Sequence, residues 1–348
     1  MAQQVCPRWV DAGHQVVVYA TSDHPEKVKS FAGVEVRHIF NPESALGLAG
    51  QFIYDLLCLR DAQKEDFDVI LQLGYTTSAL WSFLWPKHKT ITNMDGLEHQ
   101  RAKYQGPLSA FLRWSERRAA KRSQLLVADN PEIATFLNKY ETPKATIAYG
   151  TQVVVESEEL DKELEDWSKQ EGIALEHGNF HVHIGRVQKD NHVREILEAA
   201  RLSGQTLIAI GDYTTSYGRL LKESYQSTAN IHFVGTIYEK SVLNALRTRC
   251  MFYLHGHSAG GTNPALLEAM GCGAFVLAHG NRFNASVLGG LGGLWTSSEE
   301  LAAMLRSRPE AGVVAEQRRL ARARMRDYFN WSSISDQYLE IFQPFERK

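Results

Sequence analysis

The sequence predicts an α/β protein made of two doubly wound domains. Three observations carry the prediction. Short β-branched runs alternate with helix-length segments almost throughout, one acidic stretch interrupts that alternation near the middle, and 348 residues exceed what a single core usually organises. The strand-like runs are continuously apolar rather than alternating, as expected of parallel strands covered on both faces by helices.

The first domain is placed at residues 1–152. Its opening stretch, "VCPRWVDAGHQVVVYA" (5–20), reads as a helix, a glycine stop and a strand. A doubly wound domain normally opens one step earlier, with a strand and a Gly-rich turn where ligands approach the backbone. Neither is found here, so one wall of the site is expected to be missing. Four strands should follow, at "DVILQL" (68–73), "KTITNM" (89–94), "QLLVAD" (124–129) and "ATIAYG" (145–150).

Residues 153–178 include "VVVESEELDKELEDWSKQEG", strongly acidic and without a strand pattern, read as a linker with an exposed helix and a solvated charge run. The second domain, 179–328, repeats the alternation at "FHVHIG" (180–185), "TLIAIG" (206–211), "IHFVG" (231–235), "CMFYLHG" (250–256) and "AFVLAH" (274–279). Residues 329–348 hold "WSSISDQYLEIFQPF", a serine cap followed by apolar residues at helical spacing, which predicts a closing helix.

Charge and composition remove several functional classes. The 38 basic and 40 acidic residues nearly cancel, so no global field recruits nucleic acid. Cys6, Cys58, Cys250 and Cys272 show no paired spacing, which fits reduced thiols better than a disulfide framework or a zinc site. No apolar run approaches the roughly 20 residues that cross a bilayer, and the start lacks a signal-peptide core, so a cytoplasmic location is expected.

The strongest local signal is "SAGGTNPALLEAMGCGA" (258–274). Asn263 can cap a helix whose first residue is Pro264. Gly260 and Gly261 let the backbone, with Thr262, pass close to a ligand, and a helix entrance offers amides and positive potential to an anion such as a diphosphate. Glu268 falls among Leu266, Leu267 and Met270, where a carboxylate needs a partner, for instance ribose hydroxyls. The alternative is a well-capped core helix with a satisfied glutamate. In "GRVQKD" (185–190), Gly185 ends a strand and Arg186 and Lys189 follow at the carboxyl edge of the sheet, either as solvated charges or as cations that neutralise a leaving diphosphate without a metal.

In the first half, "NMDGLEHQRAKY" (93–104) holds Asp95, Glu98, Arg101 and Lys103 in a strand-end loop, read either as an Asp-Gly turn or as a contact to a sugar or acceptor. From Arg101 to Arg122 seven basic residues face only Glu116, with Phe111, Leu112 and Trp114 between them. That pattern suits a helix packed on its own domain or one lying on a membrane surface. No nucleic-acid reader motif accompanies it. Asp66 with Asp68, His181 with His183, and His255 with His257 have ligand-like spacing but no evident third partner, so no metal site is expected.

The ordered set "NMDGLEHQRAKY", "LRWSERRAAKRS" (112–123), "FVGTIYEKSVLNALR" (233–247) and "LHGHSAGGTNPALLEAMGCG" (254–273) resembles the retaining GT-B glycosyltransferases of family 4, in particular the bacterial rhamnosyltransferase-like branch. The resemblance implies two Rossmann-like domains facing a cleft, with the acceptor on the first and a nucleotide-diphosphate sugar on the second. It implies catalysis without a metal or other cofactor. By the same likeness Arg186 corresponds to the arginine of a diphosphate-gripping basic pair, whose lysine falls near His192 while Lys189 lies earlier. Glu268 corresponds to the ribose-binding glutamate of a Glu-x7-Glu motif, and Gly260 stands in place of the first glutamate, leaving donor-sugar contacts to the backbone of Gly260–Asn263. Asp95 corresponds to a histidine near the donor sugar, which implies a role in catalysis together with Arg186.

The expected reaction is transfer of a deoxyhexose, L-rhamnose by resemblance, with retention, to a glycan or polyprenyl-diphosphate-linked acceptor in bacterial polysaccharide biosynthesis. Glu98, Arg101 and Lys103 are the acceptor-side candidates, and 101–122 the candidate membrane contact. A catalytically silent protein of the same fold, binding a nucleotide sugar or a partner, is the alternative.

Overall fold

The computed structural model describes residues 1–96, 98 and 106–345. They form two compact units, Met1–Tyr149 with the chain from Trp331 onward, and Gly150–Asn330.

The first unit starts with α1 (Ala2–Asp11), whose Val5, Cys6 and Trp9 form one buried stripe. Next come β1 (Val17–Thr21), β2 (Ser30–Phe31), β3 (Val34–Ile39), α2 (Glu43–Leu46) and α3 (Ala49–Ala62). The rest of the unit holds β4 (Ile70–Gln72), β5 (Thr90–Asn93), α4 (Pro107–Arg122), β6 (Leu125–Ala128), α5 (Pro131–Phe136) and β7 (Lys144–Thr146). These strands make two sheets, ordered β1-β3-β2 and β4-β5-β6-β7, so β1 and β4 are both end strands. One core cluster serves both, drawing Val34 from one sheet and Ile91 and Val127 from the other. The helix Trp331–Phe342 returns to this unit, and Trp9 donates its indole N–H to Ser335 O at 3.3 Å while its ring meets Phe342 edge-on.

That closing helix begins at Trp331, so Ser332 and Ser333 lie in its first turn and do not form the expected cap. The packing of Trp331 against the core explains the earlier start. No helix among the described residues is long and apolar enough to cross a membrane.

The first helix of the second unit is α6 (Glu158–Glu171), which lies within the stretch read as a linker with an exposed helix. Leu160, Leu164 and Trp167 recur at helical spacing and are buried. The helix packs on the helix Lys240–Arg249, whose Arg249 pairs with Asp161 at 2.6 Å and with Glu156, just before α6, at 2.8 Å. Then β8 (His181–Ile184), α7 (Val193–Ser203), β9 (Leu207–Ile210), α8 (Ser216–Tyr225), β10 (Ile231–Val234) and α9 (Lys240–Arg249) build one half of a sheet. The other half comes from β11 (Tyr253–His255), α10 (Pro264–Gly271), β12 (Val276–His279), α11 (Arg282–Leu288), β13 (Gly293–Trp295), α12 (Ser298–Arg306) and α13 (Ala311–Tyr328). The strand order is β10-β9-β8-β11-β12-β13, with every pairing parallel. Each residue of β9 is buried, as expected of a strand covered on both faces.

Candidate functional site

The strand order of the second unit locates a site before any side chain is considered. From β8 the chain winds outward through β9 and β10, then returns to β11 on the other side of β8. Loops leaving β8 and β11 at their carboxyl ends therefore diverge, which opens the crevice where open α/β sheets bind ligands. Those loops are 185–192 and 256–263.

The end of the first loop is tied to the start of the second. Ser258 donates to Asp190 O from its amide at 3.1 Å and from its hydroxyl at 2.8 Å. Asn191 Nδ2 donates to Arg186 O at 2.7 Å, and His192 Nδ1 donates to Gly256 O at 3.0 Å. Gly256 is required by this closeness, since a Cβ there would stand 2.0 Å from Asn191 O. A Cβ on Gly211, at the end of β9, would stand 2.5 Å from Gly185 O.

The entrance of α10 forms as its residue types dictate. Asn263 Oδ1 accepts from Ala265 N at 2.9 Å, and Pro264, which has no amide hydrogen to satisfy, is the first helical residue. Leu266 and Leu267 donate back to Asn263 O. The entrance thus uses its own first-turn amides, and what it can offer an anion lies in the preceding loop. Gly260 holds φ at 111°, open to glycine alone, and among the described residues the amides of Gly260 and Gly261 have no acceptor. Thr262 beside them is buried.

Arg186 and Lys189 are exposed on the β8 loop, and neither has an ion pair among the described residues. Beyond them the structure shows a feature the sequence did not signal. His192, in the left-handed region at φ 47°, stacks on His279 with ring centroids 3.9 Å apart, and His279 meets the edge of Trp295 at 5.2 Å. Burial, and then the neighbouring His192 ring, push His279 down to about 4, so its imidazole is neutral at pH 7. Only the parallel register brings residues 192, 279 and 295 together.

Glu268 needs a correction. It is not a carboxylate enclosed by Leu266, Leu267 and Met270, because those side chains pack inward while Glu268 points to the opposite side, half exposed at 50%. It already has a partner, Arg247 Nη2 of α9 at 2.6 Å, and that arginine is 4% exposed. A buried guanidinium holding one half-solvated carboxylate fixes the Glu268 rotamer while leaving its second oxygen available. Nothing in the spacing of α9, which buries Arg249 as well as Arg247, singles out Arg247 as the partner.

In the first unit, Asp95 is exposed after β5 and lies next to the Tyr149 phenol, which burial and then Asp95 raise well above its usual value. Asn93 Nδ2 donates to Tyr338 Oη at 3.3 Å beneath it. Glu98 is half-buried. Arg101 and Lys103 lie outside the described residues, and α4 supplies the described part of the basic stretch. Its Glu116 turns inward to Lys139 at 2.6 Å and Tyr140 at 2.7 Å. Arg113, Trp114, Arg117 and Lys121 face outward.

The weaker motifs resolve into structure. Asp66 pairs with Lys89 at 2.8 Å. His181 stacks on Phe252 and is pushed down to about 4 by burial and then by Arg308, and His183 Nδ1 donates to Leu254 O at 2.9 Å. No group of three or more His, Cys, Asp or Glu placed to hold a metal ion occurs among the described residues. The four cysteines are free, and Cys6, Cys250 and Cys272 are buried.

Comparison with known proteins bears on the fold. A family model described as a domain of unknown function, DUF1972, matches residues 11–152. No curated protein matches the chain. Among solved structures, sucrose-phosphate synthase from Thermosynechococcus elongatus is similar with a TM-score of 0.79 at 16% identity, covering 98% of this chain and 91% of its own. A glycosyltransferase from Rickettsia africae matches at 0.76 and 13% identity, covering 98% and 93%. HepE of Anabaena, in complex with UDP and glucose, matches at 0.76 and 17% identity, covering 98% and 94%. With its parallel sheets and these neighbours, the chain has the GT-B fold, built from two Rossmann-like units.

Proposed function

We propose that the protein is a glycosyltransferase whose second unit binds a nucleotide-diphosphate sugar at the carboxyl edge of β8 and β11. One observation carries the reading. The amides of Gly260 and Gly261 and the unpaired cations Arg186 and Lys189 occupy the two loops that diverge at the strand-order reversal. Backbone donors and guanidinium charge on facing loops are what a diphosphate requires, and the demand grows as the glycosidic bond breaks and charge develops on the leaving group. Arg186 is the group assigned to that charge. Glu268, held by Arg247, is assigned to the ribose hydroxyls.

The finer reading follows the family 4 resemblance: a deoxyhexose, L-rhamnose in the first instance, moved with retention and without a metal to a glycan or polyprenyl-diphosphate-linked acceptor in polysaccharide synthesis. Asp95, with Tyr149 beside it, is assigned to donor-sugar positioning, and Glu98, Arg101 and Lys103 to the acceptor. The outward face of α4 supports peripheral contact with an anionic lipid surface at the inner face of the membrane, because its own carboxylate is turned inward and Trp114 is left 40% exposed among arginines.

The test is incubation of the purified chain with a panel of labelled nucleotide sugars and lipid-linked acceptors. Transfer from a dTDP- or UDP-linked deoxyhexose is expected, lost in Arg186→Ala. Saturable nucleotide binding with neither transfer nor donor hydrolysis would assign the chain to the silent alternative. Cosedimentation with vesicles containing phosphatidylglycerol should fall at least fivefold in Arg113→Glu/Arg117→Glu, and undiminished sedimentation would remove the membrane contact.

A further inference from the structure

The second unit carries another concavity, at the opposite edge of its sheet. A groove of about 740 Å³ opens where residues 177–178 lead into β8, where Met251 leads into β11, and along α13. Five arginines line it: Arg308, Arg318, Arg319, Arg322 and Arg326. Arg318, Arg322 and Arg326 recur every fourth residue and so share one helix face. Met251 and Val314 supply apolar surface between them.

The charge is not cancelled locally. Glu156 is the one carboxylate in the lining, and it is shared between Arg322 at 2.6 Å and Arg249 at 2.8 Å. Arg318 is held by backbone carbonyls instead, donating to Thr248 O and to Cys250 O, the latter at 2.6 Å. Arg308 has no ion pair among the described residues, and Arg322 Nε is buried without an acceptor. Arg319 and Arg326 pair only with the exposed neighbours Glu316 and Asp327 on their own helix, contacts worth little in water. Partial burial, followed by the charges of Arg249 and Arg318, holds His177 below its usual value, a second sign of a positive field.

A chain with a net charge of −2 that concentrates this many guanidinium groups in one hollow holds them against their mutual repulsion. Planar forks pre-ordered by backbone carbonyls suit phosphate oxygens, and the volume suits a small molecule rather than a flat macromolecular contact. We propose that this groove is a second anion site, taking a small molecule with two or more phosphate groups, separate from the nucleotide-sugar site and independent of whether that site is as read above.

The groove also touches the rear of the donor-site helix. Arg322 Nη2 donates to Cys272 O, at the carboxyl end of α10, at 3.0 Å, and a Cβ on Gly273 would stand 2.5 Å from Arg322 Cζ. Occupation of the groove therefore bears on the helix whose entrance is Asn263.

The test uses the full chain, with inorganic tripolyphosphate as probe and calorimetry as readout. Tripolyphosphate should bind with UDP already saturating, and its affinity should drop at least tenfold in Arg308→Ala/Arg319→Ala, whose exposed side chains can be removed without opening the core. UDP affinity in that variant should be unchanged, and Arg308→Gln alone should give at least a threefold drop. The His177 ring resonances should shift on addition of tripolyphosphate in wild type. Complete displacement by UDP would overturn the proposal, as would equal affinity in wild type and variant. Binding of an acidic polysaccharide or peptide without any of tripolyphosphate would equally overturn it, marking the groove as a macromolecular contact.

Discussion

The two units use the same alternation of strand and helix and reach different sheets. In the second, β8 lies inside a continuous six-stranded order, with the rest of the chain winding away on both sides. In the first, β1 and β4 are end strands of separate sheets, and every described residue of both is only half-buried. A central strand covered on both faces gives maximal apolar burial and also creates the reversal at which ligand loops diverge. The second unit has the reversal, which is why its candidate site can be read from topology, whereas the first unit's candidates are tied to local loops.

The largest effect expected from this contrast is at Gly256, where the two central loops cross. Gly256→Ala should lower the stability of the second unit by about 3 kcal/mol, since the added methyl meets a backbone oxygen that cannot give way easily; denaturant unfolding checks it. Next, Val182→Ala in β8, fully buried, should cost about 2 kcal/mol. Val18→Ala in half-buried β1 should cost below about 1 kcal/mol. Equal costs would break the comparison. Asn263→Ala should cost about 1 kcal/mol through the lost cap, with a weaker UDP affinity if the loop before α10 is the diphosphate seat.

Acidity separates the units in opposite directions. His181 and His279 are both pushed down to about 4, so the unfolded chain takes up protons first, and stability is lost as pH falls from about 6.5 towards 4. In the first unit, burial raises Asp55 to about 6 despite the Thr77 hydroxyl at 2.6 Å. That native carboxyl keeps its proton up to about pH 6, and its stability contribution is present at low pH and lost as pH rises from about 4 through 6. Unfolding followed at pH 7 and pH 5 should show the second unit weakening on acidification while the Asp55 contribution in the first is gained. Titration of the individual His and Asp resonances by NMR assigns each change.

Sequence alone was informative where burial is complete. Runs such as "TLIAIG" and "QLLVAD" became β9 and β6 because only a strand covered on both faces tolerates four consecutive apolar side chains. It was silent at β3, where "VEVRHI" alternates with charge because one face is wet. The Asn263 cap is a local event over three residues and was legible. The Arg247–Glu268 pair, the His192–His279 stack and the arginine groove join residues 21, 87 and up to 170 positions apart, and only the folded register reveals them. In the acidic stretch the helix was legible, but its charge masked the buried Leu160, Leu164 and Trp167 stripe.

The central proposal is a nucleotide-diphosphate site on the second unit. Calorimetric titration of UDP and dTDP into wild type and Arg186→Ala tests it most directly. Saturable binding that weakens at least tenfold in the variant, about 1.4 kcal/mol, with the fold unchanged by circular dichroism, is the predicted result. Absence of binding by wild type, or equal affinity in both proteins, would contradict it.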